Sequence, residues 1–426
     1  MSGQLVEHYF RHEYGRLVAA LLRRVGAQHW QAVEDAVQEA LVAAMESWPR
    51  AGLPDNPSAW LARVARNELI GRLRQNSLRQ RLLDQAAPVD LSPAVAQSAT
   101  FLSSELPDDL LRLLFVCCDP AIPAESQLVL ALKTLCGFDV TEIAQRLFLT
   151  PANVYKRLAR ARQRLRETQP DCDQIAVAEY ELRLPAVRRI VYLMFTEGHL
   201  SNHTQFAIRR ELCDEAIRLA TLLAEHPLGR SPESAALVAL MHLHASRLDA
   251  RVDAGGALLL LQDQDRSRWN QQQIRIGLSW LARSACGPNY SRYHAEAAIA
   301  AEHCMAPSFE QTDWEKVAAS YALLEQVAPS PIHRLNRAVA VAQAQGPAAG
   351  LAVLDDFEPP LWLSTSYMWF AVQADLYRRC GNRQKAVMFG DRACESAPNS
   401  AVRTLLAHRL QCGSAVHRVS AQSQTR

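Results

Sequence analysis

The chain has no CxxC pair, no cysteine–histidine cluster at zinc-site spacing and no phosphate-binding glycine loop. Its ten cysteines are scattered, apart from the pair Cys117–Cys118, which fits reduced thiols in a cytoplasmic protein. No stretch reaches about 18 consecutive apolar residues, so no membrane span is expected. The N-terminal stretch MSGQLVEHYFRHEYGRL is polar and has no apolar run of signal-peptide type. No nucleophile motif and no recognisable acid/base carboxylate pair occurs, so nothing supports an enzyme or a bound cofactor. The pairs His199/His203 and His242/His244 lack an evident third ligand, so no metal site is expected. Alternating β-branched runs are missing, and an excess of charge is missing too: 46 Lys+Arg stand against 44 Asp+Glu, a net of +2.

What is present is local. Residues 60–81 hold six arginines and one glutamate, and Lys156–Arg166 holds six basic residues in eleven. Two basic patches on a near-neutral chain suggest two docking sites for a polyanion rather than diffuse stickiness. Apolar residues recur at spacings of three and four, and alanine, leucine and arginine favour helix, so the expected fold class is all-α. Expected breaks fall at 49–58, 86–109, 119–124 and 168–174, where prolines and polar residues gather.

In the first module, VEDAVQEALVAAMESW (33–48) places Val33, Ala36, Val37, Ala40, Leu41, Ala44 and Trp48 on one helical stripe, with Glu34, Asp35, Gln38 and Glu39 off it. In AWLARVARNELIGRLRQ (59–75), Trp60, Leu61, Val64, Ala65, Leu69 and Leu73 can face a core, while Arg63, Arg66, Asn67 and Arg74 project elsewhere. Such a face is either solvated or able to hold phosphates and an unstacked base.

In the second module, DVTEIAQRLFL (139–149) reads as a short helix capped by Thr141. Thr150 then caps a second helix with Pro151 at its first position. There Val154, Leu158, Ala161 and Leu165 form a buried stripe, and Asn153, Lys156, Arg157, Arg160 and Arg164 face away from it. Two short helices with a basic second member describe a helix-turn-helix. Asn153, Tyr155, Lys156 and Arg157 could reach bases while Arg160, Arg162 and Arg164 hold the backbone.

Together, in this order, the modules resemble an extracytoplasmic-function (ECF) sigma factor of the sigma-70 family. Residues 33–48 resemble region 2.2, NPSAWLARVARNELIGRLRQ (56–75) resembles regions 2.3–2.4, and residues 139–167 resemble region 4.2. The resemblance implies a factor that binds core RNA polymerase and directs it to promoters. It implies docking of Asp35, Gln38 and Glu39 on the β′ clamp helices, and a contact with the β flap. It implies reading of a melted −10 element by Trp60, Arg63, Arg66, Asn67 and Arg74, and of a −35 element by Asn153, Tyr155, Lys156, Arg157, Arg160 and Arg164. Gly71 and Phe148 depart from the family pattern, which usually has an acidic residue and a glycine there.

The remaining chain reads as a helical extension. Ala374, Tyr377, Gly381, Ala386, Ala393 and Pro398 fall at tetratricopeptide (TPR) offsets, although Gly390 stands where a large aromatic is expected. Segment 314–331 resembles the second helix of another repeat, and 335–357 resembles a degenerate repeat between them. The resemblance extends to the ECF subgroup with a long helical C-terminal extension. The expected domains are region 2 (1–76), a linker (77–105), the region 4 helix-turn-helix (106–168), a helical extension (169–290) and TPR-like repeats (291–426). The extension is expected to regulate, with a protein partner as one route. The polar string from Asp263 to Trp269 is either an interaction surface or an internal network. An alternative reading is a helix-turn-helix activator with a TPR-like sensor.

Overall fold

The computed structural model describes residues 2–84, 106–135, 137–147, 149–168, 177–199, 208–227, 229–253, 259–287, 289–398 and 400–410. Every regular element among them is helical, as the spacing predicts. They form two compact units that divide at Arg230, inside the expected 169–290 segment. Most of the expected linker, with Phe148 and His203, lies outside the described residues.

The first unit opens with α1 (Ser2–Val25), α2 (Trp30–Ala51) and α3 (Pro57–Asp84). Gly26 and Gly52, both at φ 86°, end α1 and α2 in the left-handed region that glycine tolerates. Asn56 opens α3 by accepting the Ala59 N–H with its side chain. The whole apolar stripe of α2, from Val33 to Trp48, is buried and meets Leu61, Ala65 and Leu69 of α3. The α3 helix continues to Asp84, into the segment expected as linker.

Four helices follow: α4 (Leu106–Cys117), α5 (Ala124–Leu135), α6 (Val140–Leu147) and α7 (Pro151–Thr168). The α6 cap differs from expectation. Asp139, not Thr141, is the N-cap: its Oδ1 accepts the Glu142 N–H at 2.7 Å, and Glu142 Oε2 accepts the Asp139 N–H at 2.8 Å. This reciprocal capping box leaves Thr141 within the helix. Thr150 opens α7 by accepting the Asn153 N–H. Val154, Leu158, Ala161 and Leu165 are all buried, as their spacing requires.

Two further helices, α8 (Val177–His199) and α9 (Arg210–Glu225), belong to the same unit. Leu184, Val187, Ile190, Val191, Met194 and Phe195 bury the inner face of α8, which packs on α4 and α5. The α1 helix also lies along α4 and α5. At Gly15 the approach is so close that an added Cβ would stand 2.5 Å from the Leu135 carbonyl oxygen. The two modules are therefore packed together, not held apart on a tether.

The second unit contains α10 (Pro232–Ala245), α11 (Gln271–Ser284), α12 (Arg292–Met305), α13 (Trp314–Val327), α14 (Pro331–Gln345), α15 (Pro347–Asp355), α16 (Leu361–Ser364), α17 (Tyr367–Arg379), α18 (Arg383–Glu395) and α19 (Ser400–Leu410). Neighbouring helices pair in sequence, as stacked helical hairpins do. Gly346 and Gly381, at φ 95° and 78°, make the α14–α15 and α17–α18 turns. Ala374 and Ala393 are buried between α17 and α18. Gly390 leaves no large side chain at its own position, but the adjacent Phe389 stacks on Tyr377, with centroids 5.7 Å apart and planes 4° apart.

Part of the polar string is an internal fastening, and Asp263, Asp265 and Arg268 stay at the surface. Arg266 Nη1 donates to the carbonyls of His303 and Ala306 at the end of α12, and its guanidinium lies 4.7 Å from the Trp269 ring. Gln264 and Trp269 are buried, while Asp263 and Arg268 remain exposed. The partners are carbonyl groups rather than carboxylates, because the last turn of a helix leaves its C=O groups unsatisfied.

Candidate nucleic-acid interface

The basic stretch that stands out in the sequence is α7. Because Val154, Leu158, Ala161 and Leu165 consume one face, its charges emerge on the remaining arc. Asn153, Tyr155, Lys156, Arg160 and Arg164 are exposed, and Tyr155 retains 62% of its surface. Pro151 starts the helix, so the positive end of the helix dipole lies beside Asn153. Arg157 is mostly covered and pairs with Glu125 at 2.6 Å. Arg164 is spanned by Glu167 at 2.8 Å and donates to the Ala121 carbonyl. The predicted set therefore divides into side chains that are exposed (Asn153, Tyr155, Lys156, Arg160) and side chains that are paired internally (Arg157, Arg164).

Arg162 points the other way. It pairs with Glu34 of α2, whose second carboxylate oxygen accepts from Thr134 of α5 at 3.2 Å. Glu34 is 2% exposed. This corrects the expectation that Glu34 lies off the buried stripe: the stripe is wider than its apolar members, and a partner on α7 neutralises the charge. Tyr14 of α1 sits in the same interior, and burial, reinforced by Glu34, pushes its hydroxyl pKa up. Burial pulls Lys133 down, against the opposing pull of Glu34. A cavity of about 400 Å³ lies beside this contact, lined by Gln28, Asp35, Arg72, Gln75, Arg162 and Arg166 among others.

The acidic patch and the arginine face of the first module lie on neighbouring helices. Asp35, Gln38 and Glu39 emerge from α2, with Gln38 and Glu39 exposed and Asp35 half-buried. Arg72 of α3 bridges Asp35 at 3.6 Å and Glu39 at 3.4 Å, a contact with no counterpart in the sequence reading. On α3, Arg63, Asn67 and Arg74 are exposed and Arg66 is half-buried. Trp60 is half-buried, edge-on to Trp48 with centroids 5.6 Å apart. Its ring is thus braced by one aromatic and open on another side. Gly71 is exposed, with nothing within 4 Å of a hypothetical Cβ.

Two residues of the helix-turn-helix support went unread in the sequence. Arg183 of α8 is 4% exposed; it donates to the Phe115 carbonyl at 3.0 Å and pairs with Asp119 and Glu179. Arg209, before α9, is equally covered; it pairs with Glu142 at 3.2 Å, lies 3.9 Å from Glu197 and places its guanidinium 5.0 Å from the Phe138 ring. No local periodicity marks either arginine. Among the described residues, no group of three or more His, Cys, Asp or Glu could hold a metal, and no helix is long and apolar enough to cross a membrane. Cys117 and Cys118 are buried and outside any disulfide, and burial drives the Cys118 pKa upward.

Comparison with known families matches these modules. Residues 10–79 match the sigma-70 region 2 model, residues 119–165 the sigma-70 region 4 model, and residues 183–285 a family of unknown function, DUF6596. An uncharacterized protein of Rhizobium meliloti (strain 1021) is 36% identical over 390 residues, covering 90% of this chain and 92% of the relative. No solved structure matches. A region 2 bundle followed by a region 4 helix-turn-helix defines an RNA polymerase sigma factor. The chain belongs to the sigma-70 family, as an ECF-like sigma factor with a long helical C-terminal extension. Core RNA polymerase and promoter DNA are the partners this class implies.

Proposed function

We propose that the chain is a cytoplasmic initiation factor, not itself an enzyme, that reads a −10 element with region 2 and a −35 element with region 4. The observation that carries this reading is the outward strip Asn153–Tyr155–Lys156–Arg160 on a helix whose opposite face is fully buried. Asn153, Tyr155 and Lys156, near the N-terminus of α7, reach base edges in the major groove; Arg160 and Arg164 hold phosphates, and Arg157 joins the base contacts on release from Glu125. Trp60, Arg63, Arg66, Asn67 and Arg74 hold the melted −10 strand, with Asn67 beside a flipped base. Unstacking costs a few kcal/mol per step, which stacking on an aromatic can offset. Asp35, Gln38 and Glu39 dock on the β′ clamp helices, and region 4 contacts the β flap. We assign residues 1–76 to region 2, 77–105 to the linker, 106–168 to region 4, and 169–290 and 291–426 to an extension ending in TPR-like repeats. That extension regulates initiation, with a protein partner as the simplest route.

The test is run-off transcription sequencing over a fragmented genomic library, with core polymerase and the full-length protein. Discrete starts absent from core alone are expected. They should weaken most strongly for Asn153→Ala and Lys156→Ala at promoters sharing a −35 sequence. No starts, together with no co-migration with core polymerase, would overturn the reading.

A further inference from the structure

The helices that follow region 4 do more than continue the chain. The pair α8–α9 packs into the same compact unit as the helix-turn-helix, and the two best-buried arginines of this segment, Arg183 on α8 and Arg209 just before α9, both end on region 4. Arg183 reaches the α4–α5 turn, where Asp119 also accepts the Ala121 N–H with its other carboxylate oxygen at 2.8 Å. Arg209 reaches the start of α6. It engages Oε1 of Glu142, while Oε2 of the same carboxylate accepts the Asp139 N–H that begins the helix. Its guanidinium also covers Phe138, the buried residue just before that cap. One arginine thus fixes the turn that leads into α5, and the other fixes the first helix of the helix-turn-helix, on which α7 packs.

The apex of the pair is held to match. The Arg209 N–H donates to the Gly198 carbonyl at 2.8 Å. A Cβ at Gly198 would fall 2.8 Å from the Arg209 carbonyl oxygen and 2.8 Å from the Cys213 nitrogen. Only glycine allows α8 and α9 to approach closely enough to aim Arg209 at Glu142. Arg209 keeps a second, longer contact with the buried Glu197 at 3.9 Å, so its guanidinium stays on α8, and the closer Glu142 contact at 3.2 Å with the cover over Phe138 ties the start of α6 to it.

We propose that Arg209, aimed by Gly198 and assisted by Arg183, is a positioning residue for −35 recognition: the extension supplies the frame that sets the angle of the reading helix. The inference rests on the assignment of α7 to the −35 element. Its consequence is that promoter discrimination by region 4 depends on residues some 40 positions beyond the helix-turn-helix.

The experiment uses the full-length chain with core polymerase, on one promoter with its −35 element intact or scrambled. The readout is the ratio of the two transcript yields at saturating core binding, a ratio that a simple loss of folded protein does not move. Arg209→Gln and Gly198→Ala should each lower that ratio by about tenfold, with core binding unchanged, and Arg209→Lys should recover part of it. An unchanged ratio in both Arg209→Gln and Gly198→Ala would overturn the proposal while leaving the −35 assignment of α7 intact. A wild-type ratio near one would overturn both. A parallel fall in core binding would reduce α8–α9 to a general support of the unit and would also overturn it.

Discussion

Glu34 of α2 and Arg162 of α7 form a covered ion pair across 128 residues of sequence, with Thr134 of α5 completing the carboxylate's partners. This pair joins region 2 to region 4. It has company at the same junction, where Arg23 of α1 pairs with the buried Asp109 of α4 at 2.9 Å. Removing one member of a buried pair leaves the other charged and unpaired, at a cost of about 3–5 kcal/mol. Glu34→Ala should therefore lower the urea midpoint of the first unit sharply. The double variant Glu34→Ala/Arg162→Met should cost much less than the two singles added together. Strict additivity of the singles in those melts would show that the pair is not coupled.

The same junction must open at a promoter. Elements named −10 and −35 are about 25 base pairs apart, roughly 85 Å at about 3.4 Å per base pair. A 230-residue unit has a radius of gyration of only about 17 Å, so two modules in direct contact cannot occupy both elements. Dyes on the exposed Glu46 of α2 and Gln163 of α7 should show efficient energy transfer in the free protein and a large loss in the initiation complex. Efficient transfer that persists in transcribing complexes would contradict the −10 and −35 assignments.

Two glycines in neighbouring helices should respond with opposite sign. Gly15→Ala forces a methyl within 2.5 Å of the Leu135 carbonyl and should destabilise by about 1–3 kcal/mol. Gly71 stands in open space on α3, so Gly71→Ala should stabilise by about 0.5–1 kcal/mol through reduced chain entropy. Thermal melts of the two single variants check both signs at once.

The second unit should be acid-sensitive through His303. Burial, aided by Arg247 and Arg266, lowers its pKa from 6.5 to about 4. The unfolded chain therefore binds the proton first, and stability falls as pH drops from about 6.5 toward 4. The full contribution is at most about 3 kcal/mol. His242 and His244 are shifted in the same direction by burial. His303→Gln should flatten the stability loss between pH 7 and pH 5 without abolishing it. Urea midpoints at the two pH values measure this, and an unchanged slope would exclude His303.

The helices were legible because burial leaves a periodic trace. Val33 to Trp48 and Val154 to Leu165 are buried where their spacing places them. The helix-turn-helix is legible in that trace with the Thr150–Pro151 start, and region 2 in the resemblance of residues 33–75 to the sigma-70 family. Glu34 shares the helical face of Val37 and Leu41 and so is carried inside, although a carboxylate ordinarily marks solvent. The α6 cap is ambiguous in the sequence because Asp139 and Thr141 are both good capping residues. Only the geometry of Glu142 reaching back to the Asp139 N–H distinguishes them. Arg72 between Asp35 and Glu39, and Arg209 on Glu142, left no local signal at all.

By itself the sequence determined the all-helical class, the helix-turn-helix and which face of α7 turns outward, since each depends on residues within a few turns of one another; the order of the two sigma modules is legible through their resemblance to the family. The tertiary structure alone decided which charges go inside, that α8–α9 joins the helix-turn-helix, and that region 2 closes on region 4. Ion pairs such as Arg209–Glu142 and Glu34–Arg162 exist only when segments 67 and 128 residues apart meet, and no spacing along the chain encodes that meeting.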